Sequence, residues 1–216
     1  MLTFLLGSTS WCAETNHNFA QWEKQIAAFE RKDRTNPPPT GAILFTGAST
    51  IRRWTTLEKD FPGHRVLSRG FGGSEIVDAT HFAERIIFPY APKMIFLRAG
   101  GNEMARGRSA EDTFADFKDF VAKVHAKLPE TVIVFISNSP SPSRWAQRDK
   151  CKTMNTLVQE FMQGKPYLKY LDVYGMTLGS DGQPRAEFYV ADGLHFNAAG
   201  YALLADKVRA VLPPLK

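Results

Sequence analysis

Cysteine is nearly absent from this chain: of 216 residues only Cys12 and Cys151 carry a thiol. No disulfide framework is implied, and the pair neither requires nor excludes an oxidising compartment. Long apolar runs are missing as well, and no stretch is extended enough to span a bilayer. The histidines His17, His64, His81 and His125 fall in no H-E-x-x-H or Cys-rich spacing, so no metal is expected. A dinucleotide fingerprint is lacking too, because "GFGGSE" (70–75) does not continue as G-x-G-x-x-G with an acidic residue suitably placed. No cofactor is therefore expected. Internal repeats and low-complexity tracts are absent. The net charge of +5 comes from Lys and Arg scattered among Asp and Glu. That pattern describes a solvated, mildly basic surface and speaks against a nucleic-acid partner.

The first residues, "MLTFLLGSTSWCAE", join an apolar stretch to a small-residue segment, like the tail of a secretory signal, yet the first basic residue is Lys24 and the apolar part is short. Two readings stand. A truncated or mis-started signal would place the protein in an extracellular or periplasmic setting; a plain N-terminal segment would leave a cytoplasmic one open. Cleavage after Ala13 would leave Cys151 as the sole thiol.

What the chain does contain is an alternation. Residues from Asn18 onward, "NFAQWEKQIAAFERKD", have helical spacing, and "TNPPPTG" (35–41) interrupts it as a connector. Short apolar, partly β-branched runs follow: "AILFTG", "HRVLSRG", "KMIFLRAG", "TVIVFIS" and "YLKYLDV". Between them lie the helical patterns "SEIVDATHFAERIIF", "SAEDTFADFKDFVAKVHAKL" and "DKCKTMNTLVQEFM". The closing "NAAGYALLADKVRAVLPP" reads as a helix capped by Asn197. Right-handed crossovers between such strands predict a three-layer α/β/α domain with a parallel sheet of about five strands. Residues 1–40 read as an N-terminal segment (candidate signal remnant, helix, proline-rich connector) and 41–216 as the α/β domain.

Ligands of such sheets bind outside the carboxyl ends of the strands. Those ends carry Gly47, Ala48 and Ser49, then Gly70 to Ser74, then "GGNE" (100–103), and finally "YVADGLHFN" with Asp192 and His195. Taken alone, a serine between strand and helix is most often a cap. An Asp-Gly turn before a half-buried histidine is commonplace, and glycines and asparagines end strands routinely. As an ordered set, however, they supply a hydroxyl, a base with an orienting carboxylate, and donors for a developing oxyanion. The G-x-S-x-G elbow of α/β-hydrolases is absent.

Four blocks, "FTGASTIRRW", "RGFGGSEI", "AGGNE" and "DGLHFNAAGY", make the chain resemble the SGNH or GDSL hydrolases, over nearly everything from Ala42 to Tyr201. The resemblance implies a flavodoxin-like fold and a serine esterase. It implies Ser49 as nucleophile, His195 as base, Asp192 as its orienter, and the Ser49 and Gly73 amides with Asn102 as oxyanion donors. Departures are Ala48 and Glu103, where the family usually has Asp, and Arg98, where an apolar residue is expected. Family members act on acetylated sugars, short esters, thioesters and lysophospholipids. With no lid insertion and no groove-forming apolar segment, the expected substrate is a short-chain, above all acetyl, ester of a polar or carbohydrate alcohol. The alternatives are a lysophospholipase- or thioesterase-like lipolytic enzyme, and a non-catalytic ligand-binding module on the same fold. Trp54, Phe71, Trp145, Phe188 and Phe196 are candidates to line the site.

Overall fold

The computed structural model describes residues 17–215. The N-terminal apolar stretch and Cys12 lie outside the described residues. Five parallel strands, β1 (Ile43–Gly47), β2 (Val66–Gly70), β3 (Met94–Arg98), β4 (Val132–Ile136) and β5 (Leu168–Leu171), form one sheet in the order β2-β1-β3-β4-β5. All five are the strands expected from the apolar runs. Parallel neighbours cannot be joined by a hairpin, so helices fill each crossover. These are α2 (Ser49–Arg52) and α3 (Leu57–Asp60), α4 (Ile76–His81) and α5 (Ala83–Ile86), α6 (Gly101–Ala105) and α7 (Ala110–Lys127), and α8 (Arg148–Met162). Helix α1 (Glu23–Thr35) precedes the sheet and α9 (Ala198–Arg209) ends it. Asn197 caps α9 as predicted, accepting from the N–H groups of Ala199 and Gly200 at 3.0 and 3.1 Å.

Strands β1 and β3 are buried at every position, which requires apolar residues on both faces. The two-residue alternation sends Leu44, Leu97 and Phe135 to one face, against Ile26, Ile76, Phe117 and Val158. It sends Phe45, Phe96 and Val134 to the other, against Trp54, Phe61 and Leu204. Phe45 and Phe96 are register partners, and their rings stack with centroids 4.6 Å apart. Each buried phenylalanine contributes about 1.5–3 kcal/mol of transfer free energy.

Helix α1 is held to the edge strand β2 by a buried charge pair. Arg69, 3% exposed, donates to both Asp33 carboxylate oxygens at 2.6 and 2.8 Å, and its guanidinium lies over the Phe29 and Tyr90 rings. Trp22 and Ile26 join the core beside it.

The pattern at 74–88 predicts one helix, and the structure breaks it. Helix α4 ends at His81, Phe82 turns with ψ near 6°, and α5 restarts at Ala83. Phe82, Ala83, Ile86 and Ile87 nonetheless all face the core.

The start of α4 has an unusual partner. Glu103 of α6, fully buried, accepts from the N–H of Ile76 at 2.5 Å, and its second oxygen has no partner among the described residues. Burial pushes its pKa up from 4.5 to about 7, with Glu75 and Asp116 nearby adding to the rise and the Ile76 N–H opposing it. A carboxyl with a raised folded-state pKa binds its proton more tightly in the native protein. Stability therefore falls as pH rises from about 4.5 to about 7 and then levels off. Glu103→Gln keeps the acceptor for Ile76 and removes the charge. Its stability relative to the parent, followed by urea denaturation, should rise between about pH 5 and pH 8 by up to about 3 kcal/mol. A difference independent of pH would show that Glu103 is not the titrating group.

Candidate active site

Strand β1 ends against β3 with no space for a side chain. Gly47 has φ +118°, and a Cβ there would lie 2.2 Å from the Arg98 carbonyl oxygen. Ala48 then donates its N–H to that same carbonyl at 3.0 Å, and its own carbonyl accepts from Ile51 and Arg52, which opens α2. Ala48, not Ser49, is the N-cap. The Ser49 hydroxyl is consequently free of the capping role that a serine at a strand end usually has. Backbone bonds also supply the anchorage that an Asp at position 48 would otherwise add. From the far side, the Tyr201 hydroxyl donates to the Thr50 carbonyl at 2.9 Å and pins α9 to this turn.

The loop before α9 brings up the base. Asp192 Oδ1 accepts from the N–H groups of Leu194 and His195 at 2.8 and 2.9 Å, while Oδ2 takes the His195 Nδ1 proton at 2.6 Å. The His195 contact, reinforced by those two N–H groups, holds the Asp192 carboxyl far below the usual carboxylate range. With Nδ1 donating, Nε2 presents its lone pair, and it lies 2.9 Å from Ser49 Oγ. Ser143 secures the loop, donating to the Gly193 carbonyl through both its N–H and its hydroxyl. This arrangement can take a proton from the serine hydroxyl and return it to a leaving group.

Asn102 stands in α6, beside the site. Its Nδ2 donates to the Ser74 carbonyl at 2.9 Å, and its Oδ1 accepts two N–H bonds from Arg144, each 3.1 Å. Arg144 thereby fixes which end of the amide is the donor, and one N–H of Nδ2 has no acceptor among the described residues. Arg144 also donates to the Gly101 carbonyl. Nothing in the sequence singles out Arg144: it is one arginine in the loop after β4, and no motif covers it. Gly73, with φ +83°, does not line the pocket. Its loop is tied to the Ser49 turn through the Ser74 hydroxyl, 3.2 Å from the Gly47 carbonyl. The N–H groups of Ser49 and Gly73 have no protein acceptor among the described residues.

Ser49, Asn102 and His195 open onto a pocket of about 70 Å³ that Arg98, Asn138, Ser141 and Arg144 also line. Arg98 points its guanidinium under the site, donating to the Ser137 carbonyl and to Ser139 Oγ. Of the five candidate aromatic liners, only Phe196 reaches this pocket. Trp54 and Phe71 are core residues instead, packed on opposite faces of the sheet because each rotates inward from its strand end. Trp145 and Phe188 stand off it, each covered by an arginine, Arg148 and Arg185 respectively. Glu103, the departure from the family's Asp, faces the interior at α4.

The sequence from residue 35 to 203 matches the family model of the GDSL-like Lipase/Acylhydrolase family. Among solved structures, one from Streptococcus pneumonia, provisionally named a platelet activating factor, superposes with a TM-score of 0.78 at 20% identity, covering 89% of this chain and 93% of that one. A GDSL-like lipase from Bacteroides thetaiotaomicron gives 0.69 at 16% identity, with 89% and 96% covered. An acetyl-xylooligosaccharide esterase from Geobacillus Stearmophilus gives 0.64 at 13%, with 83% and 98% covered. At these identities the structures establish a shared fold. No curated protein matches the sequence. With its ordered blocks, its five-stranded parallel sheet and a family match over most of its length, the chain belongs to the GDSL-like lipase/acylhydrolase family and is a carboxylic ester hydrolase.

Proposed function

We propose that the protein cleaves short-chain O-acyl esters, acetyl first, of polar or carbohydrate alcohols through an acyl-enzyme on Ser49. The observation that carries this reading is the hydrogen-bonded chain from Ser49 Oγ through His195 to Asp192, at 2.9 and 2.6 Å. As His195 Nε2 takes the hydroxyl proton, Oγ adds to the ester carbonyl. The resulting oxyanion meets the Ser49 N–H and an N–H of Asn102, while Gly73, which the resemblance adds as a third donor, would have to move in from outside the pocket. Collapse expels the alcohol, which receives the proton from His195. Water, deprotonated in turn by His195, then releases the acid and restores Ser49. Asp192 keeps the imidazole in the required tautomer and stabilises its protonated form.

Substrate size follows from the pocket. Sites for drug-sized ligands run to about 300–1,000 Å³; the about 70 Å³ here is room for an acetyl group and supports a short acyl chain. Polar and apolar surface share the lining equally, and its polar half suits a hydroxyl-rich alcohol. The fold neighbour described as an acetyl-xylooligosaccharide esterase supports the same acyl group and alcohol class. A lysophospholipase-like activity would need a longer apolar groove beside Ser49 than the patch of Tyr189, Leu194 and Phe196.

Ser49→Ala should abolish turnover of p-nitrophenyl acetate while the circular dichroism spectrum and melting stay those of the parent, and a serine-directed phosphonate should label the parent alone. Most of the activity persisting in the variant would remove Ser49 from the mechanism. Asn102→Ala should lower kcat by about 10²–10³ with a smaller change in KM. Arg144→Met should lower kcat in the same sense by releasing the amide; a change confined to KM in both variants would reassign the pair to substrate binding. Across a p-nitrophenyl ester series, kcat/KM should stay level or fall as methylenes are added beyond acetate. A marked rise toward octanoate, near the about 0.8 kcal/mol per buried methylene that a groove provides, would replace the short-chain reading.

A further inference from the structure

The pocket beside Ser49 holds an excess of hydrogen-bond donors and no counter-charge. Arg98 and Arg144 line it, and among the described residues no Asp or Glu does. Arg98 is 8% exposed, and its bonds go to the Ser137 carbonyl and Ser139 Oγ, both neutral acceptors. The ionisable groups around it are Tyr189, Cys151 and Tyr201. Burial pushes all three up, Cys151 to about 11 and Tyr201 to about 12, so they are neutral near pH 7. Arg144 likewise bonds only to the Gly101 carbonyl and Asn102 Oδ1. The charged groups acting on it at longer range are Arg106, which opposes it, and Glu103, buried on the far side of α6.

This chain treats its other buried arginine differently. Arg69, exposed to a similar small degree, has a carboxylate on its fork. A buried guanidinium without an anion is costly, because neutral acceptors repay only part of the hydration it loses. Two further polar groups at the same wall are left over. Asn138 Nδ2 and Ser141 Oγ, on residues 6% and 5% exposed, have no hydrogen-bond partner among the described residues. The Asn138 backbone is itself fixed, its N–H and carbonyl both bonded to the Asn155 side chain at 2.9 and 2.8 Å. The amide is thus held against Gly100, where a Cβ would lie 2.8 Å from Asn138 Nδ2, and both leftover atoms are closed off from the cavity. Two cations with only neutral partners in one small concavity match an acceptor with several lone pairs and a negative charge.

We propose that the ester taken by this site carries a carboxylate close to its scissile bond, received by Arg98 and Arg144. The proposal rests on the esterase reading and specifies its substrate class. In a pocket this small the anion and the reacting carbonyl occupy the same cavity, so it sits within a few bonds of the ester on either the acyl or the alcohol side.

Two matched pairs of substrates separate the sides. Mono-4-nitrophenyl succinate against 4-nitrophenyl butyrate places the charge on the acyl group; 4-acetoxybenzoate against its methyl ester places it on the alcohol. The parent enzyme at low salt should favour the anionic member of one pair by at least about tenfold in kcat/KM, as expected for a charge-assisted bidentate contact. Arg98→Met should bring that ratio to one or below, and Arg98→Lys should restore part of it. Raising KCl from about 50 to about 500 mM should lower the ratio in the parent, which tests the charge without any variant. Ratios near one in both pairs would overturn the proposal, as would a preference indifferent to salt, or one that survives Arg98→Met in a folded variant. Absence of turnover on 4-nitrophenyl acetate would instead overturn the esterase reading beneath it.

Discussion

A single peptide group, the one joining Gly47 to Ala48, holds the carboxyl ends of three strands together. Its carbonyl accepts from the Phe71 N–H at 3.0 Å, and its N–H donates to the Arg98 carbonyl at 3.0 Å, so β2 and β3 each grip β1 at the point where it leaves the sheet. The absence of a side chain at residue 47 is what permits the approach to β3. Everything near the reactive hydroxyl takes its place from this contact: the turn into α2, the Ser74 hydroxyl that also reaches the Gly47 carbonyl, and through the Ser74 carbonyl the Asn102 amide.

Helix α6 shows how economical the geometry is at the next strand end. Successive helical residues point about 100° apart, so Asn102 faces the pocket while Glu103 faces the interior and meets the first N–H of α4. One short helix thus joins the candidate oxyanion donor to the core through adjacent side chains. The Glu103 side chain is long enough to reach Ile76.

Much of this was legible in the residues. Strand runs such as "KMIFLRAG" declare themselves because a sheet covered on both faces needs unbroken apolar stretches. Ser49, Asn102, Asp192 and His195 stood out because they sit at strand ends in a fixed order. The break at Phe82 did not, since helical spacing continues through it. Arg144, Asn138 and Ser141 were equally hidden. Their importance comes from the loop after β4 folding back over α6, a relation between distant segments that carries no local spacing. Arg98 was visible as an oddity, and the Ser137 carbonyl and Ser139 hydroxyl that receive it explain how it is accommodated. Trp54 and Phe71 misled in the opposite sense: residues flanking a loop rotate into whichever layer lies below them.

The two hydrogen bonds of His195 differ greatly in sequence separation. Asp192 is three residues away, so its bond belongs to one tight turn that can form early and alone. Ser49 is 146 residues away, and its contact exists only once the sheet is assembled and α9 is docked through Tyr201. The imidazole is oriented by local chain geometry but finds its hydroxyl through global topology. Loosening the terminal helix would separate Ser49 from His195 while leaving the Asp192–His195 pair intact, so loss of their alignment is a more sensitive gauge of native tertiary structure than helix content.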